Sequence, residues 1–377
     1  MKACRSFLGL GVAAVALVCS LAACVQHAPS DLVAAIDALD RQLMEAKGAA
    51  FAPEAYARFV KQWAMVKTQL AEDDVIHWPW EPNPLVANLH RVREEGEQAL
   101  MESFARKDAE RLQAESQLAM LEERFRLITD HVQGMGSRAV LGKRPIETEL
   151  LVHQARSFFE HEQFSRSDHA ARRAARLIDD QTAILTSELG HYADDQKVEA
   201  WRRMAHHTVE WSRLHRAIAI VVTKADRRLR LYRSGREIAS YPVQLGYNGI
   251  FEKRYRGDGA TPEGHYRVMG KRDRGQTDSY RALLLDYPNA DDHRRFQHAR
   301  RAGAIPSEAS IGGQIEIHGG DDEDLSQTFG CIRLDNHQID VVFPAVRVGT
   351  PVTIVGAIKR ENPVALALAE LGDAEEG

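Results

Sequence analysis

From Asp31 to His215 the apolar residues recur at helical spacing between many charged side chains. Ala, Leu, Glu, Arg and Gln, which favour helices, dominate this stretch, and only 11 of its 185 residues are Gly or Pro. These breakers cluster at 48–53, 78–84 and 134–145. The pattern predicts a helical bundle or an array of hairpins, with helices near 32–47, 54–72, 85–131, 147–163, 167–189 and 194–213.

Beyond Arg216 the pattern changes to short apolar runs and alternation, which are typical of strands. Gly and Pro account for 22 of the 141 residues from Arg216 to Gly356, twice as many as in the longer helical stretch. The strand-like stretches are residues 217–222, 229–231, 238–243, 315–317 and 352–355. The chain is therefore expected to be α+β and multidomain: an all-α N-terminal region, then a mostly β domain with long glycine-rich loops.

Composition excludes several classes of protein. The net charge of −5 gives no support for a nucleic-acid partner. The mean hydropathy of −0.37 excludes a polytopic membrane protein.

The N-terminus has the pattern of a secretory signal. Lys2 and Arg5 precede an apolar run over residues 7–18, and small residues lie directly before Cys24. The run is too short for a comfortable membrane span. The ending Leu-Ala-Ala-Cys resembles the bacterial lipobox, which implies cleavage before Cys24 and lipidation of its thiol. An ordinary signal peptide and a retained anchor helix are the alternatives.

Val25, not Asp, follows Cys24. By analogy with lipoprotein sorting, this favours a periplasmic protein anchored to the outer membrane. Several acyl chains give a stable anchor, whereas a single chain binds only marginally.

The four cysteines are Cys4, Cys19, Cys24 and Cys331. Signal cleavage and lipidation would leave Cys331 as the only free thiol, without an intramolecular disulfide partner. In an oxidising compartment such a thiol needs either burial or a function.

Residues 315–336, IEIHGGDDEDLSQTFGCIRLDN, combine the parts of a cysteine-based acyl-transfer site. His318 lies 13 residues before Cys331, and Arg333 lies two residues after it. A neighbouring imidazole can take the proton of a thiol, and a nearby cation stabilises the thiolate. Gly330 allows a tight backbone path that turns amides toward a developing oxyanion. From residue types alone, a lone Cys–His pair is more often structural than catalytic.

The segments HGG and TFGCIRL within this window resemble the active-site signature of the L,D-transpeptidases, the YkuD domain. Two upstream segments, YPVQLGYNG at 241–249 and GDGATPEGHYRV at 257–268, are similar to the first half of that domain, and FPAVRVGTPVTIVG at 343–356 is similar to its closing segment. The resemblance covers residues 217–356 and none of the helical region. It implies a β-sandwich-like domain that acts on bacterial peptidoglycan.

The family mechanism, carried over to this chain, makes Cys331 the nucleophile and His318 the general base and then the general acid. The cysteine attacks the amide carbonyl at the third position of a tetrapeptide stem, the terminal D-Ala leaves, and an amine resolves the thioester. The backbone carbonyl of Gly319 is expected to orient the imidazole. No metal or organic cofactor is implied.

The remaining site residues bind substrate in this scheme. Arg333 is expected to position the stem or its carboxylate, and backbone amides near Gly330 and Cys331 to form the oxyanion site. Thr328 keeps the hydroxyl that many members carry as Ser or Thr, but Phe329 stands where they have a second histidine. This departure affects the expected acceptor and substrate preference.

Other features have weaker interpretations. The acidic run Asp321–Asp324 is a solvated loop or attracts an acceptor ammonium. Histidines 206, 207 and 215 lack the further ligands that a metal site needs. The tryptophans pack between helices or stack on sugars, and the arginines at 272, 274, 294, 295, 300 and 301 form a hydrated face or contact acidic glycan-peptide groups.

The expected organisation is a signal peptide at 1–23, a lipidated linker at 24–31, a helical domain at 32–215, a catalytic domain at 216–356 and a C-terminal tail at 357–377. The helical domain is a self-packed bundle, or a spacer or docking surface. The expected partners are peptidoglycan stem peptides, a periplasmic or outer-membrane protein acceptor, and the membrane through the lipid. Three functions stay open: a transpeptidase that forms a 3→3 crosslink or a bond to a protein lysine, a carboxypeptidase or hydrolase that uses water, and a non-catalytic wall-binding lipoprotein.

Overall fold

The computed structural model describes residues 29–72, 83–135, 141–276, 279–320 and 328–376. The predicted signal peptide, Cys24 and the acidic run Asp321–Asp324 lie outside these ranges, as do Trp78 and Trp80. None of the described helices has the length and apolar character needed to cross a membrane. The chain divides into two compact units, residues 1–116 and 117–377.

The first unit is helical. It contains α1 (Ser30–Glu45), the short α2 (Gly48–Phe51), α3 (Pro53–Glu72) and the first part of α4 (Pro84–Met135). Its core is made of apolar side chains at helical spacing, among them Ile36, Leu43, Phe59, Trp63 and Leu89. Gly96 of α4 lies so close to α3 that a Cβ there would be 2.8 Å from the Phe59 ring.

The second unit combines the remaining helices with a sheet. Its helices are the rest of α4, α5 (Arg144–Glu160), α6 (Phe164–Leu189), a 3₁₀ turn (Gly190–Tyr192), α7 (Asp195–His215), α8 (Ala290–Arg301), α9 (Asn336–Ala345) and α10 (Pro363–Glu376). The Asp194 carboxylate accepts a hydrogen bond from the Lys197 amide at 2.9 Å and so caps the N-terminus of α7.

The strands of the second unit form one eight-stranded sheet in the order β3-β2-β1-β8-β4-β5-β6-β7. They are β1 (Ile218–Thr223), β2 (Arg228–Arg233), β3 (Arg236–Pro242), β4 (Gly264–Arg272), β5 (Ala282–Leu285), β6 (Glu316–Gly320), β7 (Ile332–Asp335) and β8 (Pro351–Val355). The pairs β1–β8 and β6–β7 are parallel, and the other pairs are antiparallel.

A single apolar core joins the sheet to the helices of this unit, from Leu118 in α4 to Leu371 in α10. Trp201 of α7 is buried in it and lies against Gly356, where a Cβ would be 2.2 Å from the indole ring. The change of sequence pattern near Arg216 therefore marks where helices give way to strands, whereas the compact units divide between Ser116 and Gln117.

The predicted fold class is confirmed: helices lead into a β-sheet domain. Some helices were not predicted from the sequence pattern, and the structure shows what stabilises them. Helix α8 (ADDHRRFQHARR) has almost no apolar face and is fixed instead by a capping box between Asn289 and Asp292. Helix α10 lies in the segment expected as a tail, and its Val364 and Leu368 belong to the core.

Candidate active site

Parallel pairing of β6 with β7 brings the predicted catalytic residues together. Ile317 is paired with Ile332 and His318 with Arg333, so Cys331, directly before β7, lies beside Glu316. Strand alternation puts the side chains of Cys331 and Arg333 on the face that carries Glu316 and His318. The Cα atoms of His318 and Cys331 are therefore offset by two residues along the strand direction, about 7 Å.

The backbone before the thiol is packed so tightly that only glycine fits. Gly330 is buried with φ +128°, and a Cβ there would be 2.6 Å from the carbonyl oxygen of Ala260. Gly246 comes from the other side: a Cβ on it would be 2.7 Å from the Gly330 nitrogen and 2.1 Å from the carbonyl oxygen of Gly259. The segments that resemble the family signature thus meet at Gly330.

Backbone hydrogen bonds hold this loop to the segment after β3. Gln244 and Arg333 exchange two N–H···O bonds of 2.9 and 2.8 Å, and the Tyr247 amide donates to the Thr328 carbonyl at 3.1 Å. The Thr328 hydroxyl donates to the carbonyl of Cys331 at 2.9 Å and closes the turn. In this structure the Thr328 hydroxyl therefore shapes the loop, and its expected role in substrate binding stays a prediction.

The thiol of Cys331 is half-buried, and its Sγ lies 3.6 Å from the carbonyl oxygen of Gln314, to which it donates. Burial raises the pKa of the thiol above its ordinary value. The backbone N–H of Glu316 lowers this pKa, the carboxylate of Glu316 raises it, and the ammonium of Lys253 lowers it. The thiol thus needs a proton acceptor at neutral pH.

His318 contacts the backbone of the next residue, the carbonyl that the sequence analysis expects to orient it. Its Nδ1 lies 3.1 Å from the carbonyl oxygen of Gly319. Because a carbonyl oxygen only accepts, Nδ1 carries the proton in this contact and Nε2 is the atom that can take one. Gly319 itself has no room for a side chain, since a Cβ would be 2.6 Å from Ile339.

Arg333 and Phe329 have opposite environments. Arg333 is 6% exposed, and Gly320 leaves the space that its side chain occupies, with a would-be Cβ only 2.8 Å from the Arg333 Cδ. Phe329 is 72% exposed and contacts the edge of the Tyr247 ring, with ring centroids 5.9 Å apart. The position at which the resemblance implies a second histidine therefore carries an exposed apolar ring, two residues before Cys331. The substrate contacts of Arg333 and the oxyanion role of the Gly330 and Cys331 amides stay predictions.

A buried network that the sequence interpretation missed holds the segment that packs against Gly330. Lys224, fully buried, donates to the carbonyl oxygens of Phe251 and Thr261 and to the Glu263 carboxylate at 2.7, 3.0 and 3.0 Å. Glu263 also accepts from the indole N–H of Trp201 at 3.0 Å. Burial alone would raise the pKa of Glu263, but Lys224 holds it below its ordinary value. The one sequence signal was a lysine that ends the apolar run of β1.

A second charged pair fixes the loop between β3 and β4. Asp258 accepts from the Lys253 ammonium at 2.6 Å and from the amides of Arg254, Tyr255 and Ala260 at 2.7, 3.0 and 3.0 Å. Lys253 is therefore held where its charge acts on the Cys331 thiol.

The other residues singled out in the sequence lie elsewhere. Trp63 and Trp201 are buried packing residues. Four of the six arginines singled out form ion pairs: Arg272 of β4 with Glu316, Arg274 with Asp340, and Arg294 and Arg295 of α8 with Asp291 and Asp292. Within the described ranges, no group of three His, Cys, Asp or Glu side chains is placed to hold a metal ion.

Distant similarities are found to solved structures, several of which are L,D-transpeptidases. The helical cell shape determining protein Pgp2 of Campylobacter jejuni is 22% identical, with 42% of this chain and 54% of that chain covered and a TM-score of 0.30. An L,D-transpeptidase of Xylanimonas cellulosilytica is 18% identical (37% and 60% covered, TM-score 0.24), and L,D-transpeptidase 1 of Mycobacterium tuberculosis is 19% identical (37% and 62% covered, TM-score 0.23).

The chain thus spans between about half and three-fifths of these proteins, and such low scores carry no weight for function. No curated protein sequence matches the chain. The family match is more direct: residues 217–354 match the model of the YkuD family, described as the L,D-transpeptidase catalytic domain. The sheet-forming part of this chain, which carries His318 and Cys331, is therefore a YkuD domain.

Proposed function

We propose that this protein is a peptidoglycan L,D-transpeptidase that forms an acyl-enzyme through Cys331. The observation that supports the proposal is the parallel β6–β7 pairing, which brings His318 and Cys331 onto one face of neighbouring strands within the family-matching segment. Lipid attachment at Cys24 and a periplasmic location at the outer membrane belong to the same proposal, on the strength of the Leu-Ala-Ala-Cys pattern.

The first half-reaction is acylation. The Sγ of Cys331 attacks the carbonyl carbon of the third stem residue, and Nε2 of His318 takes the thiol proton. The C–N bond to the terminal D-Ala then breaks, and the imidazolium returns its proton to the leaving amine. A thioester and free D-Ala result, so the bond energy is conserved without a cofactor.

The second half-reaction transfers the acyl group to an amine. His318 takes a proton from the attacking amine, a new amide bond forms, and the Cys331 thiol leaves with the proton from the imidazolium. A stem peptide gives a 3→3 crosslink, and a lysine of a periplasmic or outer-membrane protein gives a protein–wall bond. Water gives the hydrolytic alternative.

The electrostatics of the site support a base-assisted thiol over a preformed thiolate. Burial and the Glu316 carboxylate oppose ionisation of Cys331, whose pKa is raised. A thiol with such a pKa reacts through concerted or preceding proton transfer, for which His318 is positioned by Gly319. Lys253 partly offsets the field of Glu316.

The test is to incubate the mature full chain with purified disaccharide-tetrapeptide and to identify the products by mass spectrometry, with Cys331→Ala as the matched control. A crosslinked dimer that lacks one D-Ala, absent with Cys331→Ala, supports the transpeptidase. Disaccharide-tripeptide alone overturns transfer to a stem and favours the carboxypeptidase. No product together with no acylation of Cys331 overturns catalysis and favours a wall-binding protein.

The anchor is tested separately. Labelled palmitate should be incorporated into the wild-type protein in cells and not into Cys24→Ser. Incorporation that survives Cys24→Ser, or no incorporation at all, would overturn the lipid attachment.

A further inference from the structure

A basic recess lies at the end of the sheet that is opposite Cys331. Strands β1 and β8 run parallel, so their starts lie at one end of the sheet and their ends at the other. The end of β3 and the start of β4 are level with the ends of β1 and β8. Gly330, directly before Cys331, packs between Gly246, after β3, and Ala260, before β4, so the thiol belongs to that second end.

The recess has a volume of about 610 Å³. The end of α7, the start of β1, the end of β2, and the loop between α9 and β8 form it. Its main lining side chains are those of Trp211, His215, Arg216, Arg233, Arg347 and Val348. We call it the arginine recess. None of its lining residues has a carboxylate.

The arginine side chains of the recess differ from the other arginines in their ion pairing within the described ranges. Arg216, Arg233 and Arg347 form no ion pair among the described residues, whereas the arginines at 272, 274, 294 and 295 do. Arg236 adds to the charge, since it is directly opposite Arg233 in the β2–β3 hairpin. Like charges in that position repel each other, and a bound anion relieves the repulsion. In a chain of net charge −5, this is a concentrated positive surface.

Apolar and aromatic side chains surround this charge. Val348 and Leu214 are 63% and 69% exposed, and Trp211 stacks on His215 with ring centroids 4.4 Å apart. Leu214 is three residues after Trp211 in α7, so the two share a face of the helix. Basic, aromatic and exposed aliphatic side chains on one surface match a membrane interface, which offers phosphates to guanidiniums and acyl chains to Leu and Val. A hydrated glycan strand offers no partner for the aliphatic side chains.

We propose that the arginine recess docks this protein on an anionic membrane surface by binding phospholipid phosphates. Docking at this end turns the opposite end of the sheet, with Cys331, away from the membrane and toward the wall. A polybasic surface and a lipid chain are two signals that reinforce each other, but the recess does not depend on the acylation of Cys24.

The test measures binding to lipid vesicles by flotation. It uses the mature full chain with Cys24→Ser, so that no acyl chain contributes to binding. We expect binding to vesicles of phosphatidylethanolamine with phosphatidylglycerol, little binding to phosphatidylcholine alone, and loss of binding at high salt. The triple variant Arg216→Gln/Arg233→Gln/Arg347→Gln should bind roughly 100-fold more weakly, because each basic side chain at an anionic surface contributes about fivefold.

The matched control is Arg58→Gln/Arg300→Gln/Arg301→Gln, three exposed arginines elsewhere, which should bind as the wild type does. Thiol alkylation of Cys331 should be the same in both triple variants, which separates this proposal from the catalytic one. Equal vesicle binding by the triple variant and the wild type overturns the proposal. A second result would also overturn it: the wild type binds purified peptidoglycan but not vesicles, and the triple variant does not bind peptidoglycan. The recess would then be a site for wall polymer.

Discussion

The two ends of the sheet are built on different principles. At the Cys331 end, Lys224 is paired with Glu263 and Lys253 with Asp258, and glycines allow backbone segments to touch. At the other end, Arg216, Arg233 and Arg347 are exposed and face a recess without carboxylates. The difference indicates that the end expected to make and break bonds needs fixed atoms, whereas a surface that binds a diffuse anionic partner keeps its charges free.

The largest expected contrast between the ends concerns two histidines. His318→Ala should lower the rate of acylation by the stem peptide roughly 1000-fold, because it removes the proton acceptor for Cys331. His215→Ala, in the arginine recess, should leave that rate unchanged. Single-turnover mass spectrometry of the acyl-enzyme measures both, and equal rates for the two variants would break the assignment of the Cys331 end.

Removing one member of the buried Lys224–Glu263 pair should destabilise the second unit. Lys224→Met leaves the Glu263 carboxylate buried without its cation and should lower the free energy of unfolding by about 3–5 kcal/mol. Arg347→Met, at the exposed end, should change it by less than about 0.5 kcal/mol. Urea denaturation measures both, and the double variant Lys224→Met/Glu263→Met should recover part of the loss. A near-neutral Lys224→Met would contradict the supporting role of this network.

Substitution of two glycines with positive φ distinguishes the cost of a steric clash from the cost of backbone strain. Gly330→Ala should cost about 3 kcal/mol, because its Cβ meets the Ala260 carbonyl in addition to the strain of φ +128°. Gly349→Ala, with φ +90° and no atom within 4 Å of the new Cβ, should cost about 1 kcal/mol from strain alone. Thermal unfolding monitored by circular dichroism compares them. Equal losses would show that the close packing at Gly330 is not what requires glycine.

The smallest expected effect is on the pH dependence of alkylation of the Cys331 thiol. Glu316→Gln removes a negative charge beside Cys331, so the pKa of the thiol should fall and iodoacetamide alkylation should begin at lower pH. Lys253→Met removes a positive charge, so the pKa should rise and alkylation should need higher pH. Shifts in the same direction for both variants would contradict this account of the field at the thiol.

Local chemistry made the centre of the site readable from sequence. Cys331, Gly330, His318 and Gly319 lie within 14 residues, in the segments whose family resemblance implies the reaction class. The supports could not be read in this way, because Trp201 and Glu263 are 62 positions apart and meet only in the folded core. The arginine recess likewise gathers residues from 211 to 350.

The sequence pattern predicted the elements with a clear apolar signal: the periodic apolar faces of α3 and α6 and the continuous apolar run of β1. The fold was unreadable where other forces decide the structure. The polar helix α8 depends on its cap, and the four-residue strand β5 depends on its neighbours β4 and β6. The unit boundary within the continuous helix α4 has no breaker to mark it.

The most direct test of the central claim is the intact mass of the mature chain during reaction with a tetrapeptide stem. We expect a transient adduct whose mass equals the stem without its terminal D-Ala, located on Cys331 by peptide mapping, and absent in Cys331→Ala. Product formation by Cys331→Ala, or turnover with the adduct on another residue, would contradict the assignment of Cys331 as the nucleophile.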